Sequence, residues 1–287
     1  MSRNGNRLGL DEEHFTQDET PAPHSGEASS PAFNWSVPTE FVELPSKGIF
    51  YPSDHPLSAV ESVEIRFMTA KEEDILTSRS LLKEGVALDR MLQNLLVDRS
   101  IDIDTLLVGD KNALLVAARR TGYGPEYETT TTCPACDSAV EYSFDISEPK
   151  CVDFYAEASD WSATIQDSGQ VDITLPMTRA TVTCRFLTSK DENRLIKEAE
   201  RKQRKKIESS ATTDTFRSYI VAVNGDSDRI TIESFVQAMP ARDARTLRRI
   251  YGSVVPNIDL TQDFECSECG HTADMEVPLA IDFFWPS

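Results

Sequence analysis

The sequence predicts an α+β fold in which one unit of short strands and helices occurs twice, each copy closing on a β-hairpin. Three observations carry this. Arg66-Phe-Met-Thr-Ala-Lys-Glu-Glu73 returns as Arg185-Phe-Leu-Thr-Ser-Lys-Asp-Glu192, an offset of 119 (185 − 66). Asp110 precedes Cys133 by 23 positions, and Asp243 precedes Cys266 by the same 23. Two Cys-x-x-Cys knuckles, Cys133-Pro-Ala-Cys136 and Cys266-Ser-Glu-Cys269, fall at these matching places, each between stretches that alternate apolar and polar. Beyond them Tyr142, Phe144 and Ile146 stand opposite Met275, Val277 and Leu279. A duplicated unit of this kind favours a pseudo-twofold arrangement with the knuckles meeting at its axis.

Residues 1–32 are rich in Ser, Pro, Asp and Glu and poor in large apolar groups, the composition of an acidic disordered tail. Residues 33–62 read as an extended hook. In Leu44-Pro-Ser-Lys-Gly-Ile-Phe-Tyr-Pro52, the two prolines exclude a central strand. Its Leu44, Ile49, Phe50 and Tyr51 either anchor in a partner's groove or pack on their own domain.

The first repeat is expected over 63–150. Val63 to Met68 alternates as a strand, and Thr69 with Glu72 makes a capping box for a helix ending before Gly85. Leu88, Leu92, Leu95 and Leu96 fall on one helical face. Asp110 caps a helix through Leu114, Leu115 and Ala118 to Gly122. Tyr127 to Thr132 and Ala139 to Asp145 flank the first knuckle.

Residues 151–170 are expected to link the halves. The second repeat, 171–287, has a strand from Thr181 to Leu187 and a capping box at Ser189 with Glu192, which opens a helix through Ile207. An apolar face of Phe216, Tyr219, Ile220 and Val223 follows. A helix stops at Pro240, and Asp243 caps another that ends near Gly252. Asp259 to Glu265 and Thr272 to Leu279 flank the second knuckle. Phe283, Phe284 and Trp285 at the terminus are costly to expose, so they belong in a core or against a partner.

Two thiolate pairs on hairpins are what a closed tetrahedral zinc site requires. The pairs lie 133 positions apart (266 − 133), far beyond the usual ribbon spacing. A zinc-ribbon-like centre of Cys133, Cys136, Cys266 and Cys269 would therefore tie two distant segments together. Filled by four sulfurs, it would be structural and contribute folding free energy. His271 is close enough in sequence to substitute, but four cysteines suffice. No thioredoxin-like βαβ context surrounds either pair, which argues against a redox role. Cys151 and Cys184 are read as buried thiols. Reduced, metal-bound cysteines point to a cytosol-like compartment.

The chain contains no phosphate-cradling GxxxxGK[ST], no GxSxG and no HExxH, so a non-enzymatic role is expected, with no small-molecule substrate. No apolar run reaches the roughly 20 residues of a membrane span. A net charge of −19 disfavours nucleic acid. The exception is a basic run, Arg201, Lys202, Arg204, Lys205 and Lys206, on the long second-half helix. It is either a solvated face laced by Glu198–Lys202 and Glu200–Arg204 pairs, or a docking surface for an acidic partner or nucleic acid.

The residues set out above resemble the baseplate hub proteins of T4-like bacteriophages, which act in hub assembly. The likeness rests on Glu43 to Pro52, Phe67-Met-Thr-Ala-Lys-Glu-Glu-Asp-Ile-Leu76, Gly109-Asp-Lys-Asn112, Thr132-Cys-Pro-Ala-Cys136, and Val277-Pro-Leu to Phe284-Trp-Pro286. It covers about residues 33–287. The resemblance implies a structural or assembly protein of a contractile-tailed phage whose partners are tail and hub proteins, found in the virion baseplate or in the host cytoplasm during assembly. It carries over no catalytic residue. The competing expectation is a cellular zinc-ribbon adaptor that binds nucleic acid or a polymerase through the basic helix.

Overall fold

The computed structural model describes residues 36–160, 163–207, 210–277 and 281–284, except for the side chains of Asp160, Ile281 and Asp282. The expected tail, Phe33, Trp35, Trp161 and Trp285 lie outside these residues.

Alternating burial makes β1 (Thr39–Glu43) and β2 (Ser62–Arg66) an antiparallel pair, with Thr39 opposite Arg66. The hook is the connection between them. After β2, the Thr69–Glu72 capping box opens α1 (Ala70–Thr77) as expected, and α2 (Arg79–Glu84) ends on Gly85 in the left-handed region. The expected single helix is two, because Ser78 takes an extended conformation between them. In α3 (Ala87–Leu95) the buried face is Ala87, Met91, Leu92 and Leu95. A 3-10 turn at Ile103–Thr105 leads into α4 (Val108–Tyr123). The first hairpin follows, β3 (Glu126–Thr132) with β4 (Ala139–Asp145).

The expected linker is structured. It holds β5 (Lys150–Cys151), α5 (Phe154–Asp160) and β6 (Ala163–Ile165). β6 is the first strand of an antiparallel sheet in the order β6-β7-β8-β9, with β7 (Gln170–Thr174), β8 (Thr181–Arg185) and β9 (Ile220–Val223). Between β8 and β9 come α6 (Ser189–Arg204) and α7 (Ala211–Tyr219). The apolar run from Phe216 to Val223 is thus a helix end followed by a strand, since Ile220 onward pairs with β8. Then α8 (Arg229–Ala238) and α9 (Ala241–Val254) lead to β10 (Ile258–Asp259), which pairs with β5. The second hairpin is β11 (Thr261–Glu265) with β12 (Thr272–Glu276).

Matching devices recur in the two halves. Arg66, at the end of β2, pairs with Glu72 at 3.2 Å; Arg185, at the end of β8, pairs with Asp191 at 2.6 Å. Each acid also closes a capping box, at Thr69 and Thr188; the second box is therefore one residue earlier than the sequence reading placed it. Asp110 and Asp243 are not N-caps. Each is the third residue of its helix, fully buried, and binds a loop that follows a strand. Asp110 accepts from the Ser46 amide at 2.9 Å and the Ser46 and Tyr51 hydroxyls at 2.6 and 2.7 Å. Asp243 accepts from the amides of Met177 and Thr178 and from the Thr178 hydroxyl, at 2.8, 2.9 and 2.8 Å. Both loops begin with Leu-Pro, at Leu44 and Leu175.

The halves meet around α4, ten of whose sixteen residues are buried. The Gly109 Cα lies so close to Pro256 that an added Cβ would stand 1.8 Å from its carbonyl oxygen. Lys111 Nζ reaches Asp89 of α3 at 2.8 Å and donates to Ser189 Oγ of α6 at 3.0 Å. The Val108 amide donates to Leu187 O, and the Ser189 amide to Leu106 O.

Burial raises the pKa of Asp243, but the Met177 and Thr178 amides and the Thr178 hydroxyl outweigh it and hold the carboxyl below its ordinary value. A depressed folded pKa contributes stability above the unfolded value of about 3.9, and that stability is lost as pH falls through and below it. Asp243→Asn should therefore cost about 2 kcal/mol at pH 7. The difference in melting temperature from wild type should shrink as pH is lowered toward 3; a constant difference would show that the charge is not what binds the loop.

Candidate metal centre

Each knuckle is a turn closed in the same way by its own backbone. The Cys133 amide donates to Ser138 O and the Asp137 amide to Cys133 O; the Cys266 amide donates to His271 O and the Gly270 amide to Cys266 O. The fifth residue of each turn has positive φ, 57° at Asp137 and 67° at Gly270, conformations that Gly and Asx residues adopt most readily. The turn aims both sulfurs of a pair to one side.

Contacts between the hairpins then bring the pairs together. The Tyr142 hydroxyl donates to Asp263 O at 2.8 Å, and the Tyr142 ring meets Phe264 edge-on at 5.1 Å. The Asp145 amide donates to Gln262 Oε1 at 3.0 Å. Cys133 and Cys266 are buried with Val140 and Phe264, while Cys136 and Cys269 face solvent.

All four sulfurs lie within 4.8 Å of one another. Cys133–Cys269 and Cys136–Cys266 are each 3.8 Å apart. A regular tetrahedron with metal–sulfur bonds of about 2.3 Å has sulfur–sulfur edges of about 3.8 Å, whereas a disulfide needs about 2.05 Å. The geometry therefore fits four thiolates around one ion. Without a cation the thiols must share protons. The Ser138 hydroxyl and amide and the neighbouring thiols pull Cys136 down to about 6. For Cys269 the His271 amide pulls downward, but the hydrogen bond with Cys136, burial and the other thiols push it up to about 12. Four such groups ionise together only when a cation replaces the protons. His271 is exposed and outside the cluster. Cys184 is buried as expected; Cys151 is exposed, because β5 is a two-residue strand on the surface.

The hook and the terminal aromatics sit elsewhere. Leu44, Phe50 and Tyr51 belong to this chain's core, and Ile49 is 39% exposed. Phe50 packs edge-on against Phe154 and Phe186, with ring centroids 5.1 and 4.7 Å away. The Tyr51 hydroxyl donates to Asp110 and accepts from the Leu107 amide at 3.0 Å. The hook folds inward with the Tyr51 hydroxyl on a buried carboxylate that faces it from α4.

Phe283 and Phe284 are also buried. The Phe283 carbonyl accepts from Arg119 Nε at 2.8 Å, and Arg119, 1% exposed, also donates to Gly124 O and Glu126 O. Nothing in the sequence set Arg119 apart from its neighbour Arg120 in α4.

On the basic helix, Glu200 pairs with Arg204 as expected at 2.8 Å. Lys202 turns instead to Asp214 of α7.

A family model described as T4 bacteriophage base plate protein matches residues 39–285. No curated protein and no solved structure matches the chain significantly.

Elemental analysis of the purified protein should find one metal ion per chain; none or two would sink the shared site. Cys133→Ser should abolish binding and lower the melting temperature by roughly 10 °C, the shift that about 3–4 kcal/mol produces in a unit of this size. Cys151→Ser should leave metal content unchanged. Tyr51→Phe should cost about 1–3 kcal/mol, since it takes a donor from buried Asp110 and the acceptor from the Leu107 amide. An unchanged unfolding midpoint would show that the hook contributes nothing to the core.

Proposed function

The chain belongs to the T4 bacteriophage base plate protein family, and on that footing we propose that it is a component of the baseplate hub which acts by protein–protein contact and not by catalysis. The observation that carries this reading is the extent of the match. It runs from the first residue of β1 to Trp285 and so takes in both hairpins and the four cysteines. A closed four-sulfur shell has no place for water or substrate, which suits a structural role. The ion we assign to it is zinc, which takes four thiolates tetrahedrally without redox chemistry.

We read the two halves as copies of one unit, on the strength of the repeated Arg–acid pair, capping box, buried third-residue Asp and knuckle. The copies then begin at β1 and β7, earlier in the first half than residue 63, with the hook as an enlarged β1–β2 connection. The partners are tail and hub proteins met during assembly in the host cytoplasm. No helix is long and apolar enough to cross a membrane among the described residues.

Mass spectrometry of purified virions should detect this chain as a resident of the baseplate. Phage with the gene disrupted should fail to build complete baseplates, and complementation by the wild-type chain should restore them. Normal infectious yield from the disrupted phage would overturn the reading.

A further inference from the structure

β1 and β7 occupy the same place in their halves. Each pairs antiparallel with the strand bearing the ion-paired arginine, and each runs into a Leu-Pro loop that binds a buried Asp. They differ on the far edge. β7 is flanked by β6, with Ala163 opposite Ile173, Thr164 opposite Asp172 and Ile165 opposite Val171. The register continues through the Gln166 amide, which donates to Gln170 O at 2.8 Å.

The far edge of β1 has no such strand among the described residues. The Leu44 amide bonds Glu61 O at 2.8 Å and the Phe67 amide bonds Pro38 O at 2.9 Å. These two bonds fix the even-numbered residues of β1 as those that bond β2. In an antiparallel ladder the alternate residues, Thr39, Phe41 and Glu43, then turn their N–H and C=O groups outward. Phe41 is 71% exposed.

A cleft of about 260 Å³ runs beside this edge, and no residue of β2 lines it. Its lining mixes apolar Phe41, Val42, Ala113 and Ala117 with charged Glu43 and Glu148. Close by, Glu40 Oε2 accepts from Arg120, while Oε1 is buried with no partner.

We propose that this edge accepts an extended segment of another baseplate protein, which adds a strand to β1 as β6 does to β7. The proposal rests on the baseplate reading for the identity of the partner. Strand addition draws affinity from main-chain hydrogen bonds and specificity from alternate side chains. By the β6 precedent the segment runs apolar-polar-apolar, and its apolar residues lie opposite Val42 and Glu40, toward Ala113 and Ala117. A second copy of this chain is the poorer occupant. It would set one Thr-Glu-Phe-Val-Glu strand against another and join two bodies of net charge −19 each. The occupant is therefore a neutral or basic protein.

Amide hydrogen exchange on the isolated full-length chain tests the edge. Glu40 and Val42 should exchange slowly and Phe41 and Glu43 quickly; a protected Phe41 amide would mean that the edge is already filled and would overturn the proposal. Phe41→Pro then removes only an outward donor, a change that edge strands tolerate. It should melt within a few degrees of wild type, yet enter baseplates at least tenfold less, as counted by mass spectrometry of tail assemblies. Phe41→Thr, which keeps the N–H, should enter within about twofold.

A folded proline variant that assembles normally overturns the proposal. So does failure of both variants, which would place the contact in the ring and not the edge. If the proline variant unfolds, exchange of the wild-type Phe41 amide in purified baseplates decides: protection supports the proposal, and fast exchange refutes it. Absence of the wild-type chain from every tail assembly would instead sink the baseplate reading itself, and the proposal with it.

Discussion

A helix buried on nearly every side cannot leave its charges to water, and α4 carries three of them inside. Asp110, Lys111 and Arg119 are each at most 6% exposed. Burial of an ion without partners costs far more than any single contact returns, so each charge needs a partner from another part of the chain. Asp110 takes Ser46 and Tyr51 of the hook. Lys111 takes Asp89 and Ser189, one from each half. Arg119 takes three backbone carbonyls, including that of Phe283 near the terminus, and its guanidinium also lies 5.1 and 5.8 Å from the Tyr123 and Tyr127 rings. Three segments distant in sequence are thereby held to one helix. Gly109 at its start permits the approach of Pro256, closing the fourth side.

The four-cysteine cluster bears on the same problem from the opposite end. The two hairpins share a small apolar cluster of Cys133, Val140, Phe264 and Cys266, with Tyr142 and Met275 at its margin. Two-stranded ribbons with so little shared core are marginal by themselves. An ion held by sulfurs from segments 133 residues apart would close a very long loop, and the entropy of closing such a loop grows only slowly with its length. The large binding free energy of a four-thiolate site is more than sufficient for that closure. The packing around α4 organises the body; an ion at the four cysteines would fix the two hairpins to each other.

What the sequence disclosed and what it concealed divide along this line. The meeting of the two cysteine pairs was readable because each Cys-x-x-Cys is a residue type at a fixed local spacing. Both capping boxes were readable to within a residue, because a cap joins neighbours. The hook's burial was not, because Pro, Gly and Ser in Leu44 to Pro52 describe a turn-rich backbone whatever it packs against. The partner that settles its place, Asp110, is 64 residues from Ser46. Asp110 was itself visible but misassigned: an Asp at a helix start reads as a cap, and only the tertiary structure reveals that it serves a loop and not its own helix. The correspondence of β7 to β1 was hidden for a related reason. Gln170–Thr174 and Thr39–Glu43 share alternation, not identity, and only the shared Leu-Pro and the matched Asp align them.

The same accounting bears on where this chain can meet others. The aromatics that the sequence offered as anchors, Phe50, Tyr51, Phe283 and Phe284, are committed to the core, and a partner could claim them only by breaking contacts within it. Contacts that leave the body intact must use groups the fold has not consumed. Among such groups an unpaired strand edge is the one that invites any other chain. β7 avoids that hazard by carrying β6. β1 carries charged residues, Glu40 and Glu43, in a strand of only five, which makes promiscuous pairing poor while leaving the backbone available. A short, charged edge beside a cleft of mixed apolar and charged lining suits selective pairing: main-chain bonds that any sequence can make, gated by side chains that few sequences satisfy.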